Sequence, residues 1–297
     1  MKKVLVTGAT GFIGRHSLDI LLNEGFEVHA ITRIAKSSFN NEILWHELDL
    51  FDEIAVSELM QRIKPTHLIH FAWYAVPNKY WTSKINLDFT RASVFLAEQF
   101  VLNGGERFVG AGTCAEYDWN YSFLDESNTP LIPRSLYGVC KNSLQLILSK
   151  YFKDNGVGFA WGRVFFTFGP YEDSTRLIPS IINNLRDNKT AICRNGDFIR
   201  DFMYVEDVAL AFVSLLNSNV LGPINICNNQ PIKIKDILNE VALKMGKSHF
   251  LSFENNINST EPSELVGNNF RLINELKCDP QYTISEGLTK TINWFNK

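Results

Sequence analysis

A short apolar run, Lys3 to Thr7, passes directly into three glycines spaced three apart, Gly8, Gly11 and Gly14. A helical pattern through Ile20, Leu21 and Leu22 follows and ends near Gly25. Strand, glycine turn and helix in immediate succession make a β-α unit with a chemical purpose. Gly8 permits the tight turn, Gly11 lets backbone N–H groups approach a pyrophosphate, and Gly14 lets the helix pack close on the strand. The helix N-terminus then favours the anion. Glycines alone mark any turn, but at this place in the first β-α unit they read as a dinucleotide fingerprint.

The alternation continues. Strands are expected at Val28 to Ile31, Leu44 to Leu50 and Thr66 to Ala72, with helical patterns between them. A helix from about Asp88 to Leu102, a strand at Arg107 to Ala111, a long helix from about Ser135 to Asn155 and a strand at Gly158 to Phe165 complete the series. This predicts an α/β chain with a Rossmann-type, doubly wound parallel sheet. Beyond Gly169-Pro170 the pattern loosens into shorter helices and Asn-rich loops, with a last helix near Ile284 to Phe295, which reads as a smaller α/β substrate-binding cap. A return strand expected at Gly222 to Cys227 makes the cap discontinuous. The expected division is residues 1–165 with a return segment near 202–227, and residues 166–297 for the cap.

A formal net charge of -3 supplies no basic field for nucleic acid or an anionic membrane, so an anionic ligand must be met locally. The apolar run near the N-terminus enters the glycine turn with neither an export signal's cleavage region nor a span of about 20 apolar residues. A cytoplasmic protein is the expectation. Cys114, Cys140, Cys193, Cys227 and Cys278 are scattered and odd in number, with no C-x-x-C pair, so they read as reduced thiols and no metal site is expected.

Tyr137 and Lys141 lie four apart in the long helix pattern, and that spacing puts both side chains on one face. A tyrosine with a pKa of about 10 is a sluggish proton relay at neutral pH, and lowering it by about 3 units takes roughly 4 kcal/mol. An ammonium about 4 Å away at an effective dielectric of about 20 supplies about that much. Lys141 alone is therefore expected to make the tyrosinate accessible.

The octapeptide Thr7-Gly8-Ala9-Thr10-Gly11-Phe12-Ile13-Gly14 closely resembles the nucleotide-binding signature of the extended short-chain dehydrogenase/reductases, the family of nucleotide-sugar epimerases, dehydratases and 4-ketoreductases. The resemblance runs through Asp49-Leu50, His70-Phe71-Ala72, Asn86, Tyr137 to Lys141, Gly169-Pro170, Arg200-Asp201-Phe202 and Tyr204 to Val208. It implies a catalytic triad of Thr113, Tyr137 and Lys141. It further implies cofactor contacts from Gly8, Gly11, Phe12, Ile13, Gly14, Asp49, Leu50, Phe71, Ala72, Trp73, Asn86 and Val164, besides Tyr137 and Lys141. The substrate side is implied to draw on Thr113, Phe166, Leu177, Arg200 and Asn225, with Arg200 meeting the sugar-nucleotide diphosphate through a guanidinium suited to oxyanions. The other reading of Arg200 is a salt bridge to Asp201 or Asp207 that holds the cap. Two long helix patterns, Asp88 to Leu102 and Ser135 to Asn155, lie where relatives pair as a four-helix homodimer interface.

Departures from the family's pattern narrow the chemistry. NAD-dependent members end the second strand with an acidic residue for the ribose hydroxyls, whereas Thr32-Arg33 stands here. A guanidinium pairs with the 2'-phosphate of NADP, at roughly 1.5 to 3 kcal/mol per charged hydrogen bond, so Arg33 predicts NADP(H), with Ser37, Lys36 and Arg15 as further phosphate contacts. Dehydrating members and those that epimerise beside a keto group place a second acid/base two residues after the catalytic Ser/Thr; that position is Ala115 here, with Cys114 and Glu116 flanking it. Alanine moves no proton, which leaves hydride transfer. The resulting expectation is NADPH-dependent reduction of the 4-keto group of a nucleoside-diphosphate-4-keto-6-deoxyhexose with Tyr137 as general acid. A 4-epimerase, a reductase of some other carbonyl and a non-catalytic NADP-binding sensor remain open. Phe166 replaces an asparagine, Trp73-Tyr74 replace small residues, and Asn258 to Pro262 lacks the family's second arginine, Arg271 coming later.

Overall fold

The computed structural model describes residues 2–33, 40–254 and 262–297. Fourteen strands and eight α-helices follow one another among the described residues. The first part runs β1 (Lys3–Thr7), α1 (Gly14–Asn23), β2 (Glu27–Thr32), β3 (Leu44–Glu47), α2 (Glu53–Ile63), β4 (His67–His70), α3 (Ile85–Leu102), β5 (Arg107–Thr113), β6 (Phe123–Leu124), α4 (Leu136–Asp154) and β7 (Gly158–Val164). The second runs β8 (Phe166–Phe168), α5 (Leu177–Arg186), β9 (Ala191–Arg194), β10 (Ile199–Tyr204), α6 (Val205–Asn217), β11 (Gly222–Ile226), β12 (Pro231–Lys233), α7 (Ile234–Lys244), β13 (Leu251–Glu254), β14 (Glu264–Gly267) and α8 (Ile284–Phe295).

Seven strands form one parallel sheet in the order β3-β2-β1-β4-β5-β7-β11. Strands β4 and β5 at its centre are buried at every position, because helices cover both faces. Helices α2, α3 and α4 cover one face, and α1 and α6 the other. In α2 the buried residues Val56, Leu59, Met60 and Ile63 repeat at helical spacing, and Asp52 caps its first turn by accepting from the Ala55 N–H. The buried Arg107 guanidinium donates to the carbonyls of Leu215 and Val220, 2.7 Å each, and so ties β5 to the end of α6 and the approach to β11.

The strand order reverses between β1 and β4, and an α/β sheet binds ligands outside the carboxyl ends of the strands at such a point. The three glycines follow β1 there, and Phe71 and Ala72 follow β4.

The second layer is a mixed sheet, β12-β10-β14-β6 with β8 on β10, together with the small pair β9 and β13. Helices α5, α7 and α8 enclose its core. In α5, Ile178, Ile181, Ile182 and Leu185 point inward at a 3.6-residue period. Among the described residues no helix is long and apolar enough to cross a membrane, and no group of three or more His, Cys, Asp or Glu side chains is placed to hold a metal.

Candidate active site

Thr113 ends β5, and its hydroxyl accepts from the Ala115 N–H at 3.2 Å, capping the single turn Cys114–Glu116. Helix α4 begins against that turn. Ser135 caps it, and a Cβ at Gly138 would lie 2.3 Å from the Ala115 oxygen, so only glycine permits the approach. This contact puts Tyr137, in the first turn of α4, beside Thr113, whose hydroxyl favours the ionised phenol. Lys141 follows one turn later, buried, with Nζ donating to the Ala111 carbonyl at 2.7 Å. The triad read from the sequence is thereby brought together.

Its electrostatics differ from the sequence expectation. Burial pushes the Tyr137 phenol above its ordinary pKa and the Tyr80 hydroxyl adds to this, while the Thr113 hydrogen bond opposes them. Lys141 is pulled down to about 7 by burial, against the favourable field of Glu116. The lysine therefore does not activate the tyrosine unaided, because its ammonium bonds the Ala111 carbonyl and both groups lose hydration. Glu116 itself is fully buried: Oε1 accepts from Trp161 Nε1 and the Thr113 N–H, both at 2.9 Å, and Oε2 accepts from Arg163 Nε at 2.7 Å. Burial raises the Cys114 thiol to about 12, so it holds its proton.

The glycine turn has the shape a dinucleotide needs. Gly8 has φ +69°, and a Cβ there would lie 2.7 Å from the Ala72 nitrogen; at Gly14 it would lie 2.3 Å from the Gly8 oxygen. No side chain caps α1 and no acid stands in its first turn, so the positive pole is left for an anion. Phe12 and Ile13 continue the turn and pack on the cap core, Phe71 packs edge-on to Phe212 at 4.8 Å, and Val164 ends β7 opposite Thr113. Arg33 is exposed just beyond the end of β2. Asp49 is also exposed, its Oδ1 accepting from the Phe51 N–H at 3.0 Å. Ser37 and Lys36 lie outside the described residues, as do 255–261, which include Asn258.

Several residues read from the sequence as ligands do other work. Leu50 is core. The Asn86 amide donates to the carbonyls of Tyr80 and Ser83 at 2.7 and 2.8 Å and accepts from Trp73 Nε1 at 2.8 Å, so its polar atoms are spent within the protein. Asn225, fully buried, accepts from the Tyr117 hydroxyl at 2.7 Å and donates to the Leu124 and Asn268 carbonyls, which joins β11 to the second layer. Arg15 donates to the Thr10 and Gly11 carbonyls and lies 3.8 Å over the Tyr171 ring, a clasp rather than a phosphate arm.

Sequence reading named Trp73 and Tyr74 but missed the rest of an aromatic wall. The rings of Tyr80, Trp81 and Trp73 stand 4.9, 5.8 and 6.4 Å from that of Tyr137, and the Arg176 guanidinium covers Tyr80 at 5.3 Å. Four aromatic residues within 73–81 were the available signal.

The family model of the NAD dependent epimerase/dehydratase family matches residues 4–227. This chain belongs to that family. Among curated members, the chain is 28% identical over its whole length to UDP-glucuronic acid decarboxylase 1 of Xenopus tropicalis, covering 72% of that protein. It is 26% identical over 80% of its length to dTDP-6-deoxy-L-talose 4-dehydrogenase (NAD(+)) of Aggregatibacter actinomycetemcomitans, covering 88% of it. The fold is that of UDP-glucose 4-epimerase from Thermotoga maritima, with a TM-score of 0.86 at 20% identity over 99% of this chain and 98% of that one.

The residues expected on the substrate side are closed in. Arg200 is nearly fully buried between the rings of Phe166 and Phe198, 5.3 and 5.2 Å from its guanidinium carbon, and donates to the Ile199 carbonyl at 2.9 Å. Asp201 and Asp207, suggested by sequence as its ion-pair partners, instead accept backbone N–H groups, Asp201 from Asn228, Asn229 and Gly267 and Asp207 from Gln281 and Tyr282. Leu177 opens α5 against the cap core. Arg271 is occupied by Glu275 and the carbonyls of Leu221 and Pro223.

Proposed function

We propose that the protein is an NADP(H)-dependent oxidoreductase that reduces the 4-keto group of a nucleoside-diphosphate-4-keto-6-deoxyhexose. The observation that carries this reading is the poverty of acid/base groups in the turn after β5. Ala115 carries no proton, Glu116 is fully buried and bonded to Arg163, Trp161 and Thr113, and Cys114 holds its proton up to about 12. Chemistry at this turn then reduces to one proton, from Tyr137, and one hydride. A nicotinamide, when bound, would supply that hydride. Thr113 orients the carbonyl oxygen, Tyr137 protonates it as the carbon is reduced, and Lys141 supports the charge on the phenol.

Exposed Arg33 at the end of β2 supports NADP(H), and the aromatic wall suits a sugar whose C6 is a methyl group. Oxidoreduction at C4 of a dTDP-linked 6-deoxyhexose is what the Aggregatibacter relative is named for. Exposed Leu146 and Ile147 on α4 and Leu87 on α3 support a homodimer through these helices.

A 4-epimerase uses the same single-proton site and is the second reading. Purified protein is tested with a panel of 4-keto-6-deoxy sugar nucleotides and either NADPH or NADH, following reduced-nicotinamide absorbance. Substrate-dependent NADPH oxidation, abolished by Tyr137→Phe, is expected; a sugar epimer formed with no net oxidation and a retained dinucleotide would overturn the reductase reading.

A further inference from the structure

The loop after β4 carries a tryptophan where small residues are the family's pattern, and that indole has two fixed neighbours. On its edge, Nε1–H donates to Asn86 Oδ1 at 2.8 Å, and Asn86 is itself fully buried and anchored to the Tyr80 and Ser83 carbonyls. On its face, the Lys141 Nζ lies 3.8 Å from the ring centroid. The same ammonium donates to the Ala111 carbonyl at 2.7 Å, and a second indole, Trp161, stands 5.7 Å away. An ammonium has three hydrogens and no freedom to accept, so carbonyl and ring faces together fill most of its first neighbours.

We infer that Trp73 is a positioning residue for Lys141: held by Asn86, its indole clamps the ammonium against the Ala111 carbonyl at the floor of the site. This rests on the reading of Tyr137 and Lys141 as the working pair. The other groups facing the lysine leave that task to the ring. Glu116, from the turn after β5, favours the ammonium but spends its oxygens on Arg163, Trp161 and Thr113. His70, from β4, bonds Thr7 and Ser93 and is held neutral by burial down to about 3. Tyr137, on α4 itself, keeps its proton through burial. Burial works against the charged lysine, and the indole face offsets it at contact distance. A freely rotating lysine would be variably placed; a clamped one meets its ligand in one position.

The sign of the test follows. A π-face favours the ammonium, so removing it while keeping the site apolar lowers the lysine's pKa. The unliganded protein, labelled with 13C-lysine at Cε, is titrated by NMR, and Lys141→Arg identifies the resonance. Trp73→Leu is expected to move the Lys141 midpoint down by roughly 0.5–1.5 pH units, and Trp73→Phe, with a weaker π-face, by less. A midpoint unchanged or raised in Trp73→Leu overturns the inference. Should Trp73→Leu fail to fold, Trp73→Phe decides alone: a midpoint below wild type supports the clamp and a wild-type midpoint refutes it. The catalytic reading fails separately, through full activity in Tyr137→Phe, a result that leaves the lysine titration untouched.

Discussion

The buried ion pair behind the catalytic turn gives the sharpest test of how the site is held. Glu116 and Arg163 are 0% and 1% exposed, joined at 2.7 Å, and the carboxylate also carries Trp161 Nε1 and the Thr113 N–H. Glu116→Gln keeps the shape and one acceptor oxygen but removes the charge. Arg163 cannot discharge, since a guanidinium stays protonated. An uncompensated buried charge costs about 3–5 kcal/mol. At roughly 2 °C per kcal/mol for a chain of this size, Tm should fall by about 6–10 °C. Adding Arg163→Met to Glu116→Gln removes the stranded charge and should recover stability, so the double variant is expected to unfold at higher urea than Glu116→Gln alone. Equilibrium urea unfolding of wild type, both single variants and the double closes the cycle. A Glu116→Gln cost under about 1 kcal/mol, or a double variant that loses the sum of the two singles, would refute the claim that the pair's unpaired charge is what matters. Because Glu116 also bonds the Thr113 N–H, turnover should fall in Glu116→Gln and return only partly in the double variant.

Arg33→Glu should reverse cofactor preference, weakening NADPH by about ten- to a hundredfold against NADH, as read from KM for each. Glu172 is raised to about 8 by burial, and its Oε2 is buried without a hydrogen-bond partner among the described residues. The folded state then binds more protons than the unfolded one between about pH 4.5 and 8, so stability falls as pH rises through that window. Glu172→Gln should remove this slope, raising Tm by roughly 8–10 °C at pH 8 and changing it little near pH 4.5, by thermal melting across pH. Leu146→Asp with Ile147→Asp should convert a homodimer to monomer in light scattering; an unchanged mass removes α4 from the interface.

What was legible in the sequence is what depends on spacing. Gly8, Gly11 and Gly14 at intervals of three, Tyr137 and Lys141 at four, and the period that runs from Ile284 to Phe295 each map onto one backbone geometry. The last helix starts where predicted because Thr283 and Glu286 cap it reciprocally. The third strand stops at Glu47 rather than Leu50 because Asp49 folds back on the Phe51 N–H and starts the turn into α2. Strands of two or three residues, such as β6, β8 and β12, are too short to display a period of two. Asn86 and Asn225 were misread for a different reason. An amide that binds a ligand and one that fastens two loops carry the same letter, and only the geometry of their partners separates them. The lysine's effect on Tyr137 also escaped, because a Coulomb argument at fixed distance omits the hydration both groups lose.

The path between the two layers sets how this protein's specificity can be rebuilt. The chain leaves the large sheet from β7 to β8 across the single residue Phe165, returns from β10 into α6 with no residue between them, and leaves again from β11 to β12. These junctions, two of them without slack, and the further excursion through β6 between β5 and α4 mean that the second layer cannot be lifted out and replaced as a cassette from a relative. Each graft would have to match strand register on both sides of a junction that is itself part of a sheet or helix. On the proposed function, a new sugar preference therefore belongs to single positions on the wall, Trp73, Tyr80, Trp81 and Arg176, and not to recombination of whole modules.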